Sequence, residues 1–117
     1  MENRRRTGAE YEEKAAEYLE GLGWRILERN YRCRTGEIDL IAADGPALVF
    51  VEVKYRRSGA YGSPAEAVDG RKQRTICRVA DYYRMRHGIP DGQACRFDVV
   101  AVQGEEICLL RNAFPYQ

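Results

Sequence analysis

Histidine and paired cysteines are scarce in this chain of 117 residues, which limits the metal sites that it can hold. It has one histidine, His87, and none of its four cysteines forms a C-x-x-C pair. The spacing of a structural zinc site is therefore absent. We expect the cysteines to be reduced thiols, and we expect Cys77, Cys95 and Cys108 to fill the core.

Long apolar runs and a strong charge bias are also missing. No run approaches the roughly 20 apolar residues of a membrane helix, so we expect no membrane association. The segment Met1–Arg6 lacks the apolar stretch of a secretory signal, which predicts a cytoplasmic protein. The net charge of +1 does not by itself indicate nucleic-acid binding. The length and the 44% apolar content predict a single domain over residues 1–117.

Hydrophobic periodicity and turn signals predict the element order α-β-β-β-α-β-β. The predicted elements are a helix from a Thr7 cap to Gly21, strands Trp24–Tyr31, Gly36–Ala43 and Ala47–Tyr55, a helix from Ala65 or Val68 to His87, and strands Cys95–Val102 and Ile107–Arg111. A helix between the third and fourth strands can provide a crossover, so part of the sheet is expected to be parallel. We therefore predict an α/β fold with a mixed central sheet flanked by helices.

Three charged residues interrupt the apolar pattern of the second and third strands. Asp39 lies within Ile38–Ile41, and Glu52 and Lys54 lie within an otherwise apolar third strand. Charge in a sheet core is unfavourable unless it is paired or binds an ion. Residues two apart in a strand share a face, so Glu52 and Lys54 point the same way.

The turn between these strands decides where Asp39 lies. An even number of turn residues, Gly45-Pro46 for example, places Asp39 directly opposite Glu52. Two carboxylates at that distance resist joint ionisation unless a divalent cation lies between them. Oxygen ligands of this kind suit Mg²⁺ or Mn²⁺. The alternative is a salt-bridged hairpin on an exposed sheet face.

The motifs of the chain resemble those of the YraN family, small bacterial proteins described as endonuclease-like. The matching segments are Thr7–Glu10, Arg29–Tyr31 (R-N-Y), Gly36–Ile41 (G-E-I-D-L-I), Phe50–Lys54 (F-V-E-V-K), Gly62–Pro64, Lys72-Gln73 and Arg96–Val100 (R-F-D-V-V). The resemblance implies a restriction-endonuclease-like α-β-β-β-α-β core, similar to archaeal-type Holliday junction resolvases. It assigns the PD-(D/E)-x-K nuclease motif to Asp39, Glu52 and Lys54, with Ile38 in place of the proline.

The resemblance also suggests further members of the site. Related resolvases add a glutamate from the first helix as a metal ligand, for which Glu10 is the candidate, although Glu10 also fits a capping box with Thr7. Gln73 is a possible supporting residue, or an ordinary exposed helix residue. We expect Glu37 to face away from Asp39 and to be solvated or paired. Asp98 either supports the site or pairs with an arginine.

A set of arginines is the predicted nucleic-acid surface. Its members are Arg56, Arg57, Arg71, Arg74 and Arg78. The last three share one helix face and could follow a phosphate backbone, although the same face also serves solubility.

The sequence thus predicts a metal-dependent endonuclease acting on DNA, with Mg²⁺ or Mn²⁺ as cofactor, and the resemblance to junction resolvases suggests branched DNA as the substrate. A two-fold dimer is expected from the related resolvases. A noncatalytic nucleic-acid-binding or scaffold protein on a nuclease fold is the alternative, and cleavage of RNA is a third.

Overall fold

The structure is a computed structural model that describes residues 8–56 and 68–117. The helices are α1 (Gly8–Gly21) and α2 (Gly70–Arg86), and the strands are β1 (Arg25–Cys33), β2 (Gly36–Asp44), β3 (Ala47–Tyr55), β4 (Cys95–Gln103) and β5 (Glu106–Phe114). The predicted order α-β-β-β-α-β-β is confirmed.

The five strands form one sheet in the order β1-β2-β3-β4-β5. Only the central pair, β3 and β4, is parallel, and the other neighbours are antiparallel. Helix α2 makes the crossover that a parallel pair requires. The mixed sheet that the sequence predicts is therefore present.

Alternating residues of β3 supply the two halves of the core. Leu48 and Phe50 pack on the face that α2 covers, whereas Val49 and Val51 pack on the face that α1 covers. Both faces are buried, as expected of a central strand. The charged end of β3 therefore lies at the edge of a core that is closed on both sides.

Helix α2 begins later than the sequence suggested. Its N-cap is Asp69, whose carboxylate accepts a hydrogen bond from the Lys72 backbone N–H at 2.9 Å. A capping aspartate satisfies a free amide of the first turn and fixes the start at Gly70. The predicted start at Val68 is therefore wrong, and Ala65 lies outside the described residues.

Strand β5 continues past its predicted end at Arg111 to Phe114. Asn112 adopts a left-handed φ of 53°, and its N–H donates to the buried Asp98 carboxylate at 2.9 Å. Asp98 also accepts from Arg96 Nε at 3.1 Å. Asp98 therefore pairs with an arginine and stabilises a strand irregularity.

The cysteine expectation is only partly confirmed. Cys77 is buried and Cys95 is half-buried, but Cys108 is exposed on β5. Cys108 was expected in the core because the strand is apolar, yet edge strand β5 has one side open to solvent. Within residues 8–56 and 68–117, no helix has the length and apolar character needed to cross a membrane.

Candidate metal centre

The β2–β3 hairpin has the even turn that the sequence analysis required. Asp44 pairs with Ala47, so the turn consists of Gly45 and Pro46. From this turn the antiparallel pairing of β2 and β3 continues as far as Leu40, which lies opposite Val51. One further residue in the same register places Asp39 opposite Glu52.

The two strands separate at this point, and the Asp39 side chain enters the gap. Its Oδ2 accepts a hydrogen bond from the Val53 backbone N–H at 2.8 Å. The carboxylate thus takes the place of a strand carbonyl. The Asp39 and Glu52 side chains are only 9% and 6% exposed, so both carboxyl groups lie in a largely water-excluded position.

A change of face in β1 and β2 directs Asp39 into the gap. Ile38 packs on the α2 side of the sheet, whereas Leu40, two residues later, packs on the α1 side. Neighbouring strand β1 changes phase at Asn30, where two consecutive residues are exposed and φ is 51°. Asn30 stands opposite Asp39, between the pairs Arg29–Leu40 and Tyr31–Ile38.

Helix α1 contributes a third carboxylate. One oxygen from each of Glu12, Glu37 and Asp39 lies within 4.8 Å of the other two. The first-helix residue in this group is Glu12, while the predicted ligand Glu10 is exposed in the first turn. The assignment of Glu10 stays a prediction, and the geometry favours Glu12 for the same role.

The expectation that Glu37 faces away from Asp39 is wrong. Residues two apart in a strand share a face, and Glu37 accordingly lies beside Asp39. The expected pairing of Glu37 is present, since Arg32 Nε lies 3.1 Å from its Oε1.

The surroundings of the Glu52 carboxyl group favour its protonated form. Burial raises its pKa, the Asp39 charge and a hydrogen bond with Asp39 raise it further, and the pKa reaches about 7. Lys72 and Lys54 oppose this shift. The Lys72 Nζ lies 3.7 Å from Glu52 Oε2, so α2 supplies a second ammonium group to the site.

The Glu12 carboxyl group also has a raised pKa and also hydrogen-bonds Asp39. Burial, followed by the charge of Asp39 and a hydrogen bond with it, raises the pKa of Glu12 to about 7. A hydrogen bond from Asn30 lowers this pKa in part. Two carboxyl groups with raised pKa values therefore flank Asp39.

Such a cluster fits a divalent cation. Hard oxygen donors are the ligands that Mg²⁺ and Mn²⁺ prefer. The pKa rises from its ordinary 4.5 to about 7 at Glu12 and Glu52 first because both groups are buried, and second because their charges and that of Asp39 repel one another. A cation would remove that repulsion, and Asp39, Glu52 and Glu12 are the residues that would hold it.

Of the remaining predicted residues, the structure describes Gln73 and three arginines on α2 and Arg56 after β3. The Gln73 side chain donates to Val68 O at 2.8 Å and accepts from Gln117 at 2.6 Å, so its amide holds the chain before α2. Its supporting role stays a prediction. Arg71, Arg74 and Arg78 are exposed on α2. Arg56 is half-buried after β3, and Arg57 lies outside the described residues.

Three residues of the centre, Glu12, Lys72 and Asn30, are not among the site residues that the sequence predicts. Glu12 stands three, four and seven residues before the buried Ala15, Ala16 and Leu19, which places it on the inner stripe of α1. That spacing could have identified Glu12. Lys72 and Asn30 carried no comparable signal, because their approach depends on the position of α2 and on a left-handed residue in β1.

A comparison with protein families identifies the family of the chain. Residues 11–102 match the model described as "Uncharacterised protein family UPF0102". The chain belongs to the UPF0102 family, also called the YraN family. The matched range includes Glu12, Asp39, Glu52, Lys54 and Lys72, and thus the whole centre.

Similar UPF0102 proteins occur in distant bacteria. The UPF0102 protein of Lachnoclostridium phytofermentans is 49% identical over 112 residues, which cover 96% of this chain and 95% of the relative. That of Symbiobacterium thermophilum is 52% identical over 115 residues, covering 94% and 97%. That of Stutzerimonas stutzeri is 42% identical over 118 residues, covering 97% and 98%.

Proposed function

We propose that this UPF0102 protein is a metal-dependent phosphodiesterase that cleaves DNA internally. The observation that carries the proposal is that Asp39, at the point where β2 and β3 separate, hydrogen-bonds both Glu52 of β3 and Glu12 of α1. Lys54 follows Glu52 on the same face of β3, and Lys72 approaches from α2. Acidic ligands beside an ammonium group form the arrangement that metal-assisted phosphodiester hydrolysis requires.

The bound cation would supply Lewis acidity and a more acidic water molecule. Asp39 is positioned for this task by the Val53 N–H, which donates to its Oδ2, and by hydrogen bonds with Glu12 and Glu52. Glu52 and Glu12 would complete the oxygen set from β3 and α1. Each of these ligands is thus carried by a helix or a strand of the core.

The two lysines have separate roles in this proposal. Lys54 shares its strand face with Glu52, and its positive charge favours the ionised form of that carboxyl group. It would stabilise charge on the phosphate in the transition state. Lys72 lies 3.7 Å from Glu52 Oε2 and would orient that carboxyl group.

The proposed substrate is DNA recognised through its backbone. The exposed Arg71, Arg74 and Arg78 on α2 are suited to phosphate contacts, and contacts of that kind carry no base sequence. Branched DNA and a two-fold dimer are the finer parts of the proposal, since the resemblance to junction resolvases suggests both.

The proposal is tested by a cleavage panel with linear, nicked, flapped and four-way junction DNA, in Mg²⁺ and in Mn²⁺. Wild-type protein should cleave at least one substrate, and Asp39→Asn, Glu52→Gln and Lys54→Ala should each reduce the rate on the order of 100-fold or more. The exposed Glu20→Gln on α1 is the matched control and should retain full activity.

Two outcomes would overturn the enzymatic proposal. Equal cleavage by wild type and all three variants would show that the activity does not come from this site. Binding without cleavage of any substrate in either ion would favour the noncatalytic alternative. An RNA strand of the same sequence distinguishes DNA cleavage from RNA cleavage.

A further inference from the structure

A groove of about 460 Å³ lies beside the metal centre, between the tip of the β1–β2 hairpin and the first turns of α2. It is lined by Arg32, Cys33, Arg34, Thr35, Gly36, Glu37, Lys72 and Thr75. Three of these side chains are cationic and one is acidic. The hairpin tip was not part of the predicted arginine surface.

The groove opens directly onto the carboxylate cluster. Glu37 belongs to the group formed with Asp39 and Glu12, and it also holds Arg32. Lys72 lines the groove and contacts Glu52. A phosphate backbone that enters the centre is therefore adjacent to the cationic side chains of the groove.

The groove has a fixed wall on the hairpin side. Gly36 has a φ of 152°, and a Cβ built there would lie 2.7 Å from Thr75 Cγ2. Only a glycine allows the hairpin to approach α2 so closely. The separation between the hairpin tip and the first turns of α2 is therefore set by the packing of Gly36 against Thr75.

Arg34 is the cation of the groove that is available to a ligand. Arg32 is paired with Glu37 and Lys72 with Glu52. Across residues 8–56 and 68–117 no ion pair involves Arg34, and its side chain is exposed at the hairpin tip. An exposed guanidinium beside two partly neutralised cations suits a phosphate group.

We propose that this groove binds the phosphodiester backbone of the nucleic acid on one side of the cleaved bond. The inference rests on the proposed function, because it takes the carboxylate cluster as the place of cleavage. Arg34 contacts a flanking phosphate and contributes to affinity, and it has no part in the chemical step.

The test is the salt dependence of DNA binding, measured by fluorescence anisotropy with a labelled duplex and with the same duplex carrying a single-stranded flap. All proteins carry Asp39→Asn, so that cleavage cannot disturb the measurement. Adding Arg34→Ala should weaken binding severalfold and reduce the slope of log K against log salt by about one. The control is Arg86→Ala, an exposed arginine in the last turn of α2, which should leave the slope unchanged.

The outcomes separate this inference from the proposed function. If Arg34→Ala and Arg86→Ala give the same slope as their parent, the groove is not the backbone site, even when wild-type protein cleaves DNA. A reduced slope together with no cleavage by wild type supports the groove and overturns the nuclease. Absence of DNA binding by the parent overturns both.

Two cysteines give a second readout in the same samples. Cys33 lines the groove, whereas Cys108 is exposed on β5 outside it. Bound DNA should slow alkylation of Cys33 and leave Cys108 unaffected, as measured by peptide mass spectrometry. Equal alkylation of Cys33 with and without saturating DNA would contradict occupancy of the groove.

Discussion

Replacing Glu52 with glutamine should stabilise the metal-free protein at alkaline pH. Glu52 is 6% exposed, and burial together with Asp39 raises its pKa from 4.5 to about 7. Each pKa unit corresponds to about 1.4 kcal/mol. Ionised Glu52 therefore costs the folded state up to roughly 3 kcal/mol, and the neutral amide of the Glu52→Gln variant avoids this cost.

The sign of the effect follows from proton binding. Between pH 4.5 and pH 7 the folded protein keeps a proton on Glu52 that the unfolded chain has lost, so stability falls as the pH rises through this window. The advantage of Glu52→Gln should be small at pH 4.5, grow through the window and level off above pH 7.

Urea unfolding in EDTA at pH 5 and pH 8 measures this difference, and thermal unfolding should show a rise on the order of 10 °C at pH 8. Glu106→Gln, an exposed substitution on β5, is the control and should show no pH-dependent gain. If Glu52→Gln is no more stable than wild type at pH 8, the cost of burying an ionised Glu52 beside Asp39 is refuted.

Two further predictions concern Asn30, which has a left-handed backbone conformation, and Asp98, which binds the left-handed residue Asn112. Asn30 has a φ of 51°, and both Asn30→Gly and Asn30→Val lose its hydrogen bond to Glu12. Asn30→Val should therefore be less stable than Asn30→Gly by roughly 1–2 kcal/mol in urea unfolding, and equal stability of the two variants would contradict a cost of the left-handed backbone. Asp98 is fully buried and accepts from Arg96 and the Asn112 N–H, so Asp98→Ala should lose on the order of 3 kcal/mol, and retention of wild-type stability would contradict its structural role.

Much of the fold could be predicted because local signals agree with it. The Asp44–Pro46 turn, the alternation along β3 and the helix before β4 determine the hairpin, its even register and the parallel pair. These features depend on residues close in sequence. The start of α2 was misplaced although its cap is a short-range signal, since the Asp69 carboxylate accepts from the Lys72 N–H three residues later. The end of β5 was placed less well because it depends on a contact between Asp98 and Asn112.

The candidate site was predictable in part for the same reason. Asp39 and Glu52 are brought together by one hairpin, so strand parity places them opposite each other. Glu37 was misplaced, although the rule that residues two apart share a face gives its position correctly. Lys72 reaches Glu52 only through the docking of α2 on the sheet, which no short-range pattern specifies.

Calorimetric titration with Mn²⁺ at pH 7, in two buffers of different ionisation enthalpy, tests the metal centre most directly. Wild-type protein should bind Mn²⁺ and release protons, because Glu12 and Glu52 have pKa values of about 7 and must ionise to act as ligands. Asp39→Asn should bind far more weakly. Equal binding by both proteins, or no binding by wild type at millimolar Mn²⁺, would contradict a divalent-cation site at the end of β3.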